Sequence, residues 1–163
     1  MKNIDKDGLL LCELQARTFE LSIEKTDSSS EIFIRRFINS EIVKEMDNMA
    51  ILDWNLQPMD ILERIEEEYG VSTYGSTKYS KNEMYWIGYV YRYYAYTYEI
   101  SSIQAYKIIK PKELRSLYLP YHTLDVSQAI ERILESKGML LNEEERLQKQ
   151  YEIYRAIRME NKN

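Results

Sequence analysis

The 163-residue chain has one cysteine, one histidine, three prolines and five glycines. Each scarcity removes a class of protein. Cys12 alone excludes an internal disulfide and a cysteine zinc cluster, and His122 alone excludes a two-histidine metal site. Few turn-formers in a chain this long argue against a turn-rich sheet. No apolar run approaches the length that spans a bilayer. At the N-terminus, three leucines among Asp5, Asp7 and Glu13 are too few for a signal-peptide core, so a cytoplasmic protein is expected. No glycine-rich phosphate loop occurs. Acidic side chains number 27 against 22 basic, giving a net charge of −5, so the chain has no general attraction for nucleic acid.

What remains is sizeable. With 44% hydrophobic residues the chain can bury one core, and its length favours a single domain over 1–163. Helix punctuation is dense. Ser28 with Glu31, Ser80 with Glu83 and Asp125 with Gln128 each place a capping acceptor three residues before Glu or Gln; Asn142 with Glu145 is a weaker instance. Pro58 and Pro111 suit first helical positions, with Asp60 and Glu113 following in the favourable first turn. Gly70 and Gly138 suit helix ends.

Between these marks apolar residues recur at helical spacing: Leu10, Leu14, Phe19 and Ile23; Ile32, Phe33, Phe37 and Ile38; Ile61, Leu62, Ile65 and Tyr69; Ala129, Ile130, Ile133 and Leu134; Leu147, Tyr151, Tyr154 and Ile157. The stretch 70–80 has no such period and reads as an internal loop, a hinge or an insertion. The expected fold is therefore all-α: a compact multi-helix domain around a long aromatic central helix, with an amphipathic C-terminal helix within 139–163 that is free to project.

That central helix is the stretch Met84–Tyr98, "MYWIGYVYRYYAYTY". Eight of its last fourteen residues are aromatic, seven of them tyrosine. Alternating tyrosines also suit a strand, but Lys81–Glu99 is too long for one, lacks a turn signal and opens on the Ser80/Glu83 capping pair. As a helix it has three faces: Trp86, Tyr89, Val90, Tyr93 and Thr97; Ile87, Tyr91, Tyr94 and Tyr98; Tyr85, Gly88, Arg92 and Tyr96. Every buried phenol must find a hydrogen-bond partner, at a cost of about 1–3 kcal/mol if it does not. Three readings stay open: an ordinary core helix, a helix that also offers one face to a partner, and a ligand or base-stacking surface.

Catalytic constellations are scarce. His122 in "LPYHTLD" reads as a loop histidine bonded to backbone ahead of the Asp125 cap, or else as the centre of an enzyme site. Cys12 has no basic neighbour in sequence and reads as core filler. Glu66–Glu68 and Glu143–Glu145 read as solvated faces. No catalytic residue, cofactor or metal is expected. Helix 81–99, the break at Ile100-Ser101 and a helix through Ile103, Ala105, Tyr106 and Ile109 imitate a helix-turn-helix. In that reading Ser102, Gln104 and Lys107 would meet base edges, and Lys110, Lys112 and Arg115 complete a locally basic strip.

The segments "SSSEIFIRRFINS" (28–40), "NEMYWIGYVYRYYAYTY" (82–98), "YKIIKPKELRSLYLPYHTLD" (106–125) and "QAIERILE" (128–135) resemble a family of small bacterial proteins from toxin–antitoxin operons. The neighbouring gene there encodes a toxin similar to ADP-ribosyltransferases. The resemblance spans roughly 9–138 and supplies no catalytic motif. It implies a non-catalytic antitoxin that binds and neutralises its cognate toxin. Surface arginine and tyrosine are the residues that concentrate binding energy. The expected anchors are Tyr85, Arg92 and Tyr96 on the least aliphatic helix face, with Arg35, Arg36, Tyr151, Tyr154 and Arg155 in support. The alternative is a DNA-binding regulator using the strip from Ser102 to Arg115, autoregulating the same operon. A homo-oligomer is compatible with either.

Overall fold

The computed structural model describes residues 1–139 and 143–161. Among them every regular element is helical: α1 (Lys6–Lys25), α2 (Ser30–Ile38), α3 (Glu41–Asp47), a 3-10 turn (Ala50–Trp54), α4 (Pro58–Tyr69), α5 (Lys81–Tyr98), α6 (Ser102–Ile108), α7 (Pro111–Tyr121), α8 (Val126–Ser136) and α9 (Glu143–Glu160). The chain clusters into two units, 1–127 and 128–163. No helix among the described residues is long and apolar enough to cross a membrane.

Local chemistry explains the boundaries. Ser80 Oγ accepts from the Glu83 N–H at 3.1 Å while the Glu83 carboxylate accepts from the Ser80 N–H at 2.9 Å, so α5 opens on a reciprocal capping box. Ser101 and Gln104 repeat it at α6, and Asp5 caps α1 through the Gly8 N–H. Pro58 and Pro111 occupy first turns as expected. Asp125 accepts from the Ser127 N–H at the start of α8, and Gly70 and Gly138 close their helices at φ +78° and +69°. The α2 cap lies one residue later than expected. Ser29, not Ser28, accepts from the Ile32 N–H, because Glu31 is drawn away to the hydroxyl of Tyr79 at 2.8 Å. The Asn142 cap lies outside the described residues.

Within residues 1–127, α1 and α5 run antiparallel as the central pair. Asp5 meets Tyr96 at one end, Gln15 meets Gly88 in the middle, and Glu24 pairs with Lys81 at the other end. The buried face of α1 is Gly8, Leu11, Cys12, Gln15, Ala16, Phe19 and Ser22, which differs from the expected stripe: Leu10 is exposed, and Leu14 and Ile23 are only half-buried. Small and polar side chains win that face because the helices approach closely. A Cβ built on Gly88 would stand 2.8 Å from the Phe19 ring and 3.0 Å from the Gln15 carbonyl oxygen. Phe19 then packs edge-on against Phe33 and Phe37 of α2, at centroid distances of 5.5 and 4.8 Å.

The segment 70–80 is coil, as expected, but it does not behave as a free hinge. Tyr74 and Thr77 carbonyls accept from the Ser29 and Ser30 N–H groups, and the Tyr79 N–H donates to Ser30 Oγ. These bonds strap the segment across the start of α2, with the Tyr79 ring buried beneath the Arg115 guanidinium, 4.3 Å from the ring centroid.

Gly88→Ala tests the closeness of the central pair. Alanine gains up to about 1 kcal/mol of helix propensity, yet overpacking outweighs it, and a net loss of about 1–2 kcal/mol is expected in urea unfolding.

Candidate partner-binding surface

Of the expected anchors on α5, Arg92 is the least exposed. It is 2% exposed. Its Nε donates to Gln15 Oε1 at 2.9 Å, Nη1 to Asp47 Oδ1 at 2.7 Å, and Nη2 to Ser102 Oγ at 3.0 Å. Asp47 also accepts from the Ser102 hydroxyl and N–H. A guanidinium loses too much hydration to be buried singly, so three helices supply its partners. Tyr96 is buried too, donating its hydroxyl to Asp5 at 2.5 Å beneath the Lys2 ammonium. The face expected to hold the anchors is thus the one turned into α1; of its members only Tyr85 stays half-exposed. The isolated Gly88 between Tyr85 and Arg92 was the signal for this, since a mid-helix glycine marks close backbone approach.

The other expected anchors scatter. Arg35 is exposed on α2. Arg36 donates to the Gly70 carbonyl at 2.8 Å and lies over Tyr69, closing the end of α4. Tyr151, Tyr154 and Arg155 are exposed on α9. The DNA-reading set is partly committed elsewhere: Ser102 serves Arg92 and Asp47, Gln104 caps α6, and Arg115 pairs with Glu83 at 3.2 Å. Lys107, Lys110 and Lys112 are exposed.

Sequence reasoning named Tyr85 but passed over the two tyrosines that continue its stack. Tyr85, Tyr89 and Tyr93 recur every fourth residue of α5, all half-buried, with near-parallel rings 6.4 Å apart at each step. No protein group among the described residues bonds the hydroxyls of Tyr85 and Tyr89. Burial raises the Tyr85 phenol and pushes Tyr89 to about 12, with Glu13 of α1 adding to both. Glu13 holds Arg17 at 2.7 Å, and one turn earlier Leu9 is 45% exposed. The ladder and the outer flank of α1 therefore form one strip of ring faces, phenols and a paired charge. Beyond it, Leu10, Leu14, Leu52 and Leu56 line an open groove of about 360 Å³ between α1 and the 3-10 turn. The spacing 85, 89, 93 was legible; the sequence could not say which side of α5 would be covered.

Cys12 and His122 are the other chemistry-bearing groups singled out in the sequence. Cys12 is fully buried, and burial pushes its thiol up to about 12, where it carries no thiolate at neutral pH. His122 ends α7 with its Nδ1–H donated to the Tyr118 carbonyl at 2.7 Å and its ring stacked on Tyr118. Among the described residues no group of three or more His, Cys, Asp or Glu side chains is placed to hold a metal ion.

Two outcomes follow from these burials. Arg92→Ala removes the cation that balances Asp47 and leaves it only the two Ser102 donors; because Asp47 keeps 19% of its side chain in water, a loss of about 3 kcal/mol is expected in denaturant unfolding. At alkaline pH the raised phenols of Tyr89 and Tyr96, both at about 12, keep their protons in the folded chain, while the unfolded chain releases them near about 10. Their contribution to stability is complete below about pH 10 and lost as pH rises toward 12, which phenolate absorbance and thermal melting across that window can follow. No family model, curated protein or solved structure matches this chain.

Proposed function

We propose that this chain is a non-catalytic antitoxin that binds and neutralises the toxin encoded beside it, a protein similar to ADP-ribosyltransferases, and that the strip of Tyr85, Tyr89 and the outer flank of α1 makes the contact. The observation that carries the contact is the stacked, half-exposed tyrosine ladder. Tyrosine presents a large rigid face for the loss of only two side-chain torsions, and its hydroxyl supplies directional hydrogen bonding at the rim. Interfaces are enriched in such residues for that reason. The exposed Leu9 and the groove starting at Leu10 extend the strip with apolar area, and the paired Glu13 and Arg17 give it a polar edge. The toxin itself comes from the family resemblance of segments 28–40, 82–98, 106–125 and 128–135.

In this reading masking is steric and stoichiometric. A rigid helix pair carries preformed rings, so little ordering cost falls on association. Tyr93, the last rung, stacks on Tyr89.

Co-expression with the product of the adjacent open reading frame should relieve its toxicity and yield a co-purifying complex. Tyr85→Ala with Tyr89→Ala should weaken that complex by at least about 2 kcal/mol, some 30-fold in Kd, while the free chain still melts cooperatively, at a lower temperature because two half-buried rings are lost. Unrelieved toxicity without co-purification would remove the antitoxin reading; a complex indifferent to both substitutions would remove the ladder from it.

A further inference from the structure

The outer stripe of α1 has a regular spacing that its own unit leaves uncovered. Leu10, Leu14, Arg17, Leu21 and Glu24 recur at steps of four, three, four and three, which sets them on one side of the helix. None is fully buried: Leu10, Arg17 and Glu24 are exposed, and Leu14 and Leu21 are half-buried. Two clefts follow this stripe. The groove of about 360 Å³ at Leu10 and Leu14 adjoins a second of about 480 Å³ at Leu21 and Glu24, and Arg17 and Pro58 line both. They make one trough along α1, about 21 Å from position 10 to position 24 at 1.5 Å of rise per residue. Leu52 and Leu56 wall its apolar end, and Lys81 and Tyr85, the first rung of the ladder, wall its charged end.

Charge and backbone chemistry say what fits. At the charged end Arg17 is paired with Glu13, and Lys81 with Glu24. Glu20 is left over. Among the described residues no hydrogen bond or ion pair holds its carboxylate, although Tyr85 and Lys81 lie close enough to feel its charge. The trough thus suits one cation at Glu20 and apolar side chains about 9–15 Å further along, at Leu14 and Leu10. A strand cannot bring them by sheet extension, because the interior of a helix has no free backbone edge. A helix can, since its own ridges at three- and four-residue steps fit between those of α1.

We infer that the trough receives an amphipathic α-helix of the partner protein, its apolar ridge against Leu10 and Leu14 and a lysine or arginine against Glu20 and Tyr85. Only the identity of that partner rests on the antitoxin reading.

The full chain is titrated with a synthetic four-turn helical peptide carrying leucine at alternating three- and four-residue steps and lysine elsewhere, followed by fluorescence anisotropy. Micromolar binding is expected, at least about tenfold tighter than that of the same peptide with glutamate for lysine. Glu20→Lys should weaken it about tenfold, and so should Leu10→Glu at a half-exposed position, with both variants folded by thermal melting. Glu67→Lys, at an exposed acidic site on α4, should leave it unchanged. No binding at millimolar peptide, equal losses in Glu20→Lys and Glu67→Lys, or no loss in folded Leu10→Glu would each overturn the proposal. Binding as described, in a chain that neither co-purifies with nor neutralises the product of the adjacent reading frame, would uphold the trough and remove the antitoxin reading.

Discussion

A single buried charge sets the geometry of the larger unit. Arg92 lies in the centre of the long aromatic helix and reaches Gln15 on α1, Asp47 at the end of α3 and Ser102 at the start of α6. Leaving any of these contacts would strand a guanidinium or a carboxylate in the core, which is among the largest penalties a fold can meet. The contact therefore fixes the rotation of α5 about its own axis. With Arg92 turned inward, Gly88 and Tyr96 must also lie on α1, and Gly88 can do so because it has no side chain to clash with Phe19. Tyr89 and Tyr93 follow at roughly 60° and 100° from Arg92 around the helix, while Tyr85, within roughly 20° of Arg92 but two turns earlier, stays half-exposed.

The same rotation sorts the tyrosines by where their hydroxyls go. Tyr91 donates to the Ile109 carbonyl at 2.5 Å and Tyr96 to Asp5, so both rings can be fully buried at no lasting polar cost. Tyr79, outside α5, is treated alike by Glu31. Tyr94 and Tyr98 pack edge-on at 4.9 Å. The tyrosine surplus is thus divided between core groups with protein acceptors and a ladder whose hydroxyls stay near the surface. A core face and a half-exposed ladder of rings coexist on one helix.

Much of the fold was legible because its signals are local. Ser80/Glu83, Pro58, Pro111, Gly70 and Gly138 act within one turn of their own positions, and each marks the boundary it suggested. Ser101 with Gln104 and the Asp5 cap were equally readable and were passed over. Errors arose where a distant residue decided. Ser28 lost its cap because Tyr79, 48 positions from Glu31, claims that carboxylate. Arg92 reads as a surface anchor until Asp47, 45 positions away, is known to face it. The apolar stripe of α1 was misplaced because periodicity rewards large side chains, whereas a close helix pair rewards small ones such as Gly8, Cys12 and Ala16.

The central claim is that this protein acts through ring-rich contact area on the flank of α5. Hydroxyl-radical footprinting of the chain, free and mixed with the product of the neighbouring reading frame, addresses it at single-residue level. The account predicts that Tyr85 and Tyr89 lose reactivity on mixing while Tyr74, exposed on the strap, keeps its own. Unchanged reactivity at Tyr85 and Tyr89 in a mixture where other tyrosines become protected would contradict it.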